Sequence, residues 1–134
     1  MLSGVATAIK SLNPSIQVIA AEPKGADDCK RSFDARELLP VGKTNTIADG
    51  LLTSLGDNTW PIIRDLVDDV VVVSEDEIVA AMRLVWTRMK LVIEPSAAVG
   101  VAVALQDDFK RRDKLRNVAI VLCGGNVDVT KLPF

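Results

Sequence analysis

The sequence predicts an α/β fold, with a parallel sheet buried beneath helices on both faces. Three observations predict it. Short valine- and isoleucine-rich runs recur at Gln17–Ala21, Val67–Ser74 and Asn117–Leu122. They do not alternate apolar with polar residues, as half-solvated strands would, so each suits a strand covered on both sides. Segments with helical spacing lie between them, and strands alternating with helices favour parallel pairing by crossover connections.

Taken in order, Ser3–Leu12 reads as a helix closed by Asn13-Pro14. The first strand follows and ends at Glu22-Pro23. Asn58–Leu66 reads as a short helix before the second strand. Glu75–Met89 is the clearest helix: Ser74 stands at the N-cap, acids fill the first turn, and Ile78, Met82, Val85 and Met89 recur at helical spacing. Ser96–Phe109 is a further helix, opened by Pro95-Ser96. The third strand then ends at Cys123-Gly124-Gly125-Asn126. No strand precedes the first helix, so the layer reads as a partial Rossmann-like sheet. Ligands of such sheets gather at the carboxyl ends of the strands.

Composition narrows the chemistry. The 134 residues suit one small domain, and 49% hydrophobic with 25% charged residues is a globular balance. Net charge is −2 without a basic patch, which argues against nucleic acid as a partner. No apolar run approaches a bilayer span, and the N-terminal stretch lacks a basic n-region and cleavage site; the expectation is a cytoplasmic chain. There is no histidine, so a Ser/His triad and a histidine-ligated metal are excluded within the chain. Cys29 and Cys123 are the only cysteines, too few for a four-cysteine zinc site.

Four segments have the residues for chemistry. Glu22-Pro-Lys-Gly-Ala-Asp-Asp28 sets three carboxylates just after a strand. Such hard oxygen ligands suit Mg²⁺, Mn²⁺ or Ca²⁺, and the competing reading is an acidic loop capping the next helix. Thr46-Ile-Ala-Asp-Gly50 reads as an ordinary turn. Glu94 precedes a helix rich in small residues (Ala97, Ala98, Gly100), which permit close packing against a neighbour or a ligand. In Val121-Leu-Cys-Gly-Gly-Asn126 a strand ends in a thiol and two glycines, where backbone approaches a ligand closely or simply turns.

These segments form one ordered series: AAEP…ADDC, TIADG, NTWPIIRDLVDD, SEDEI, MKLVIEPSAAVGVA and LCGGNVD. The series closely resembles the serine racemase branch of the fold-type II pyridoxal-phosphate (PLP) family, which also holds serine and threonine dehydratases. The resemblance runs from Met1 to about Asp128. It implies that residues 1–134 form a single incomplete domain, the C-terminal part of the large catalytic domain. The family's Schiff-base lysine, opposite-face serine, tetraglycine phosphate loop, substrate-carboxylate loop and small domain match nothing in this sequence.

The resemblance also implies roles. Met1 matches the residue after the phosphate loop. Cys123 matches the position facing the pyridine nitrogen, where a neutral thiol leaves that nitrogen unprotonated. Gly50 and Glu94 match positions near the cofactor. Glu22, the carbonyl of Ala26 and Asp28 match divalent-metal ligands, and Asn58 a position bearing on the metal. Lys90 and Asn126 match contacts to ATP, an allosteric effector bound at a subunit interface. The activity implied for the complete homodimer is interconversion of L- and D-serine, with loss of water to pyruvate and ammonia as a second outcome. The chain alone is expected to be inactive. The alternatives are a threonine/serine dehydratase fragment and a non-catalytic binding module.

Overall fold

The computed structural model describes every residue except Lys114. The α/β expectation holds. Helix α1 (Leu2–Leu12) leads to strand β1 (Ile19–Pro23), a 3₁₀ turn at Lys24–Ala26 and helix α2 (Asp28–Ala35). A 3₁₀ turn at Asp49–Leu51 and helix α3 (Trp60–Leu66) precede strand β2 (Asp69–Val73). Helices α4 (Glu75–Leu84), α5 (Pro95–Leu105) and α6 (Asp107–Lys110) complete the order.

The strands pair in parallel, Ile19 opposite Asp69 and Pro23 opposite Val73. Apolar layers cover both faces. On one, Ala6 of α1, Cys29 of α2 and Trp60 and Ile63 of α3 enclose Val18, Ala20, Val67 and Val70. On the other, Ile78, Ala81 and Met82 of α4 and Ala97, Ala98, Val99, Ala102 and Val103 of α5 pack on Val73 and the partly buried Ile19, Ala21 and Val71. Strands buried on two sides explain why their sequences lack alternation.

Helix ends follow local chemistry. Ser74 Oγ accepts from the Glu77 N–H at 3.3 Å, and Glu77 Oε2 accepts from the Ser74 N–H at 2.7 Å. This reciprocal box satisfies two donors that a helix start leaves free. Pro95 opens α5, where its missing N–H costs nothing. Gln106 ends α5 and donates to Val72 O at 3.2 Å and Glu77 Oε1 at 3.0 Å, tying that end to β2 and α4.

The structure corrects the sequence in several places. The helix expected over Glu75–Met89 is α-helical only to Leu84; Val85–Met89 widens into a π turn, stopped by Lys90 in the left-handed region at φ 60°. Trp86 Nε1 donates to Ile93 O at 2.9 Å, so the returning chain is pinned against that turn. The helix expected over Ser96–Phe109 breaks at Gln106, whose ψ is 139°. Helix α3 starts at Trp60, later than Asn58, and helix α2 was not expected. The third expected strand, Asn117–Leu122, joins no ladder among the described residues. A strand exists only beside a partner, and this run has none. It touches α5 instead: a Cβ on Gly100 would stand 3.1 Å from Ile120 Cγ2.

Candidate active site at the strand ends

The acidic segment folds into a compact unit. Glu22 ends β1 with its side chain buried. Glu22 Oε1 accepts from the Cys29 N–H at 2.9 Å and Oε2 from the Lys30 N–H at 2.8 Å. The first turn of α2 therefore points its free amides at this carboxylate, so the capping reading of the loop is realised. Asp28 is 3% exposed, and its Oδ2 accepts from the Leu55 N–H at 2.9 Å. Ala26 is buried between them in sequence. Gly25 has to be glycine, because a Cβ there would stand 1.9 Å from Asn45 O.

Burial sets the electrostatics. Desolvation pushes the Glu22 carboxyl up to about 7; the amides of Lys30 and Cys29 oppose the shift, and the charges of Asp28 and Asp27 add to it. Burial, with Glu22 and Asp28 close by, pushes the Cys29 thiol up to about 12. Among the described residues no basic side chain pairs with Glu22 or Asp28, and no group of three or more Asp, Glu, Cys or His side chains gathers for a metal. Two buried carboxylates without a basic partner fit a divalent cation, completed by carbonyl and water oxygens. Asn58 is exposed, and no hydrogen bond joins it to this unit.

A second group forms where the 92–96 segment meets the 123–126 segment. The Glu94 N–H donates to Gly124 O at 3.1 Å, and Glu94 Oε2 accepts from the Asn126 N–H at 2.9 Å. Gly124 has φ +122°, a conformation open to glycine, and a Cβ there would lie 2.6 Å from the Glu94 carboxyl carbon. The Gly50 N–H donates to Ser96 Oγ at 3.0 Å, which brings the Asp49–Leu51 turn to the start of α5. Cys123, half-buried, precedes this knot. Thus Gly50, Glu94, Cys123 and Asn126 converge, and the structure adds Ser96 and Gly124. Glu-Pro-Ser before an apolar run was the available signal for Ser96. The Glu94 side chain makes no cap bond to its own helix, so the capping reading fails there.

Met1 and Lys90 stand apart. Met1 is exposed, and its carbonyl accepts from the Val5 N–H at 3.1 Å as α1 begins. Lys90 is exposed beyond the π turn, and no hydrogen bond links it to Asn126.

The sequence pattern described as "Pyridoxal-phosphate dependent enzyme" matches residues 1–124. The chain belongs to the pyridoxal-phosphate-dependent enzyme family. It is 57% identical to a serine racemase of Bos taurus over 136 residues, covering 100% of this chain and 41% of that protein. The structure of maize serine racemase superposes with TM-score 0.93 at 50% identity, over 96% of this chain and 40% of that one. The structure of a serine racemase from Dictyostelium discoideum superposes with TM-score 0.91 at 52% identity, over 96% of this chain and 41% of that one. A bacterial-type threonine deaminase, from T.th., matches with TM-score 0.87 at 42% identity, over 95% of this chain and 46% of that one. The chain thus spans about two fifths of the length of the serine racemases that it matches.

The second group suits one wall of a PLP pocket: a thiol, a carboxylate, a hydroxyl and glycine main chain that a side chain would crowd out. Among the described residues no lysine side chain is hydrogen-bonded or ion-paired within it.

Proposed function

We propose that this chain is the C-terminal part of the large domain of a PLP-dependent serine racemase. The complete enzyme interconverts L- and D-serine and also removes water from serine to give pyruvate and ammonia. The observation that carries this reading is the Glu94–Gly124–Asn126 knot beside Cys123, in a chain this similar to serine racemases.

PLP, when bound, withdraws electrons from the substrate carbon that loses its proton. This chain's residues hold and tune. The Cys123 thiol meets the ring nitrogen without protonating it, which weakens that withdrawal. Glu94, fixed by the Asn126 amide, sets the distance between the 92–96 and 123–126 segments. Gly124 leaves room for the Glu94 carboxyl, and Gly50, tied to Ser96, closes the side of the pocket. Met1, at the start of α1, brings helix amides toward the cofactor phosphate. Glu22, Ala26 and Asp28 hold a divalent ion, Mg²⁺ first by hardness, and Asn58 approaches it through a water. Lys90 and Asn126 contact ATP between the subunits of a homodimer. The proton-transferring lysine and serine lie outside the 134 residues, so the chain alone is inactive; the complete enzyme acts in the cytoplasm.

Threonine deaminase similarity favours one second reading, a threonine/serine dehydratase fragment. A non-catalytic module derived from such an enzyme is the remaining alternative. The test joins this chain, as one polypeptide, to the portion of bovine serine racemase that it does not match. D-serine and pyruvate from L-serine are expected, with none from the chain alone. Turnover of threonine without D-serine would favour the dehydratase, and a PLP-loaded but inert fusion would overturn the racemase reading. Borohydride reduction of the isolated chain with PLP is expected to leave no stoichiometric pyridoxyl-lysine.

A further inference from the structure

We propose that β1 and the Asn117–Leu122 run together form an acceptor for an extended segment, supplied in trans by the portion of a serine racemase that this chain does not match.

The backbone geometry of β1 comes first. Val18 O accepts from the Asp68 N–H at 2.9 Å, so residue 18 faces β2. Backbone groups alternate sides along a strand, so Ala20 and Glu22 also face β2. Ile19 and Ala21 then turn their N–H and C=O to the opposite edge, where no hydrogen bond receives them among the described residues.

The 117–122 run has the same property throughout. None of its backbone groups is hydrogen-bonded among the described residues. Val118 is 51% exposed and Val121 57%, an unusual state for a β-branched run in a folded chain. An apolar segment with an unpaired backbone is a template for strand addition.

Helix α5 relates the two. It packs on β1 and β2, and at Gly100 it meets Ile120 of the run. A helix of about 10 Å diameter roofs about two strands at the usual spacing of about 4.8 Å. The run and β1 share this roof yet exchange no hydrogen bond, so they stand more than one ladder spacing apart. That leaves a strand position under α5 with donors and acceptors on each side.

The occupant follows from length. The chain accounts for 41% of a bovine serine racemase and matches maize serine racemase closely over 40% of that chain, so the family fold contains further chain to fill the position. An extended, mainly apolar segment suits it, since Ile19, Ala21, Val118 and Val121 flank it. This rests on the reading that the chain is part of such an enzyme.

The test co-expresses the 134-residue chain with the unmatched portion of bovine serine racemase as a separate polypeptide. The expected result is a 1:1 complex in which amides of Ile19, Ala21 and alternate residues of 118–122 exchange at least about tenfold more slowly than in the chain alone. Val121→Pro should abolish the complex and leave the melt of the isolated chain unchanged, because the Val121 N–H bonds to nothing there. Recovery of the two polypeptides apart, or equal binding by V121P, overturns the proposal. Protection that appears in the chain alone and grows with its concentration makes a second copy the occupant, and overturns it too. A complex without D-serine or pyruvate formation would count against the racemase reading while leaving the acceptor intact.

Discussion

Glu94 and Gly124 hold each other twice: the Glu94 N–H donates to Gly124 O at 3.1 Å, and the Glu94 carboxyl occupies the place of the side chain that Gly124 lacks. Sequence position separates them widely, so the contact fixes how the last segment returns to the start of α5. Gly124→Ala meets both a positive φ and a carbon 2.6 Å away. It should lower stability by about 1–3 kcal/mol. Gly4→Ala is the opposite case, a helix position with nothing within 4 Å of the new methyl, and should raise stability by about 0.5–1 kcal/mol. Urea melts of the two variants give the signs; a neutral G124A would show that the 123–126 segment is not held by Glu94.

The box at Ser74 makes a second prediction. Its hydroxyl accepts from the Glu77 amide and donates to the Glu77 carboxylate at 2.8 Å. Ser74→Ala should cost about 0.5–2 kcal/mol, and Ser74→Asp should restore much of it, since an acid at a helix start also accepts those amides. Glu77 lies below its ordinary carboxyl range, chiefly because the Ser74 N–H binds its charged form. That contribution is present above the unfolded value and fades as acid protonates the group. The melting difference between S74A and the parent should therefore shrink at low pH.

The cysteines separate by environment. The Cys29 thiol, raised to about 12 by burial and by Glu22 and Asp28, holds almost no thiolate in mildly alkaline buffer. Cys123 is half-buried at the 123–126 turn. Disulfide-exchange reagents should label Cys123 in the native chain and reach Cys29 about a thousandfold more slowly, at the rate of global opening. Equal labelling would mean that the α2 layer opens readily.

Much of this was legible in the sequence, for identifiable reasons. The β1 and β2 runs carry their own signal because both faces are buried, and Ser74 with its acids marks the start of α4. Strand status for Asn117–Leu122 was not legible, because pairing is a property of two segments and composition describes one. Helix α2 left little signal because its residues, Asp-Cys-Lys-Arg-Ser-Phe-Asp-Ala, include few strong apolar repeats; its start is fixed by the distant Glu22 carboxylate. The π turn at Val85–Met89 depends on Trp86 reaching Ile93 O, again a bond that no local pattern encodes. In the site, Glu22 and Asp28 announced themselves as an acidic loop, whereas the Gly50–Ser96 bond joins residues 46 apart and left no local trace.

The buried carboxylates give the sharpest solution test. Glu22 ionises near 7 when folded and near 4.5 when unfolded, chiefly through desolvation. A carboxyl raised in the folded state contributes stability that is full below the unfolded value and is lost as pH rises through the folded value. The metal-free chain should therefore melt at progressively lower temperature from about pH 4.5 to pH 7 on account of this group. Glu22→Gln should flatten that dependence while still accepting an amide from α2. A divalent ion reverses the sign, since it binds the ionised form and supplies the charge that Asp28 and Glu22 lack. Mg²⁺ or Mn²⁺ should raise the melting temperature at about pH 8, do little at about pH 5, and do nothing for E22Q or Asp28→Asn at either pH. An ion effect that survives both substitutions would locate the metal elsewhere; a pH dependence unchanged in E22Q would mean that Glu22 remains ionised in the folded chain at acid pH, held by the Cys29 and Lys30 amides alone.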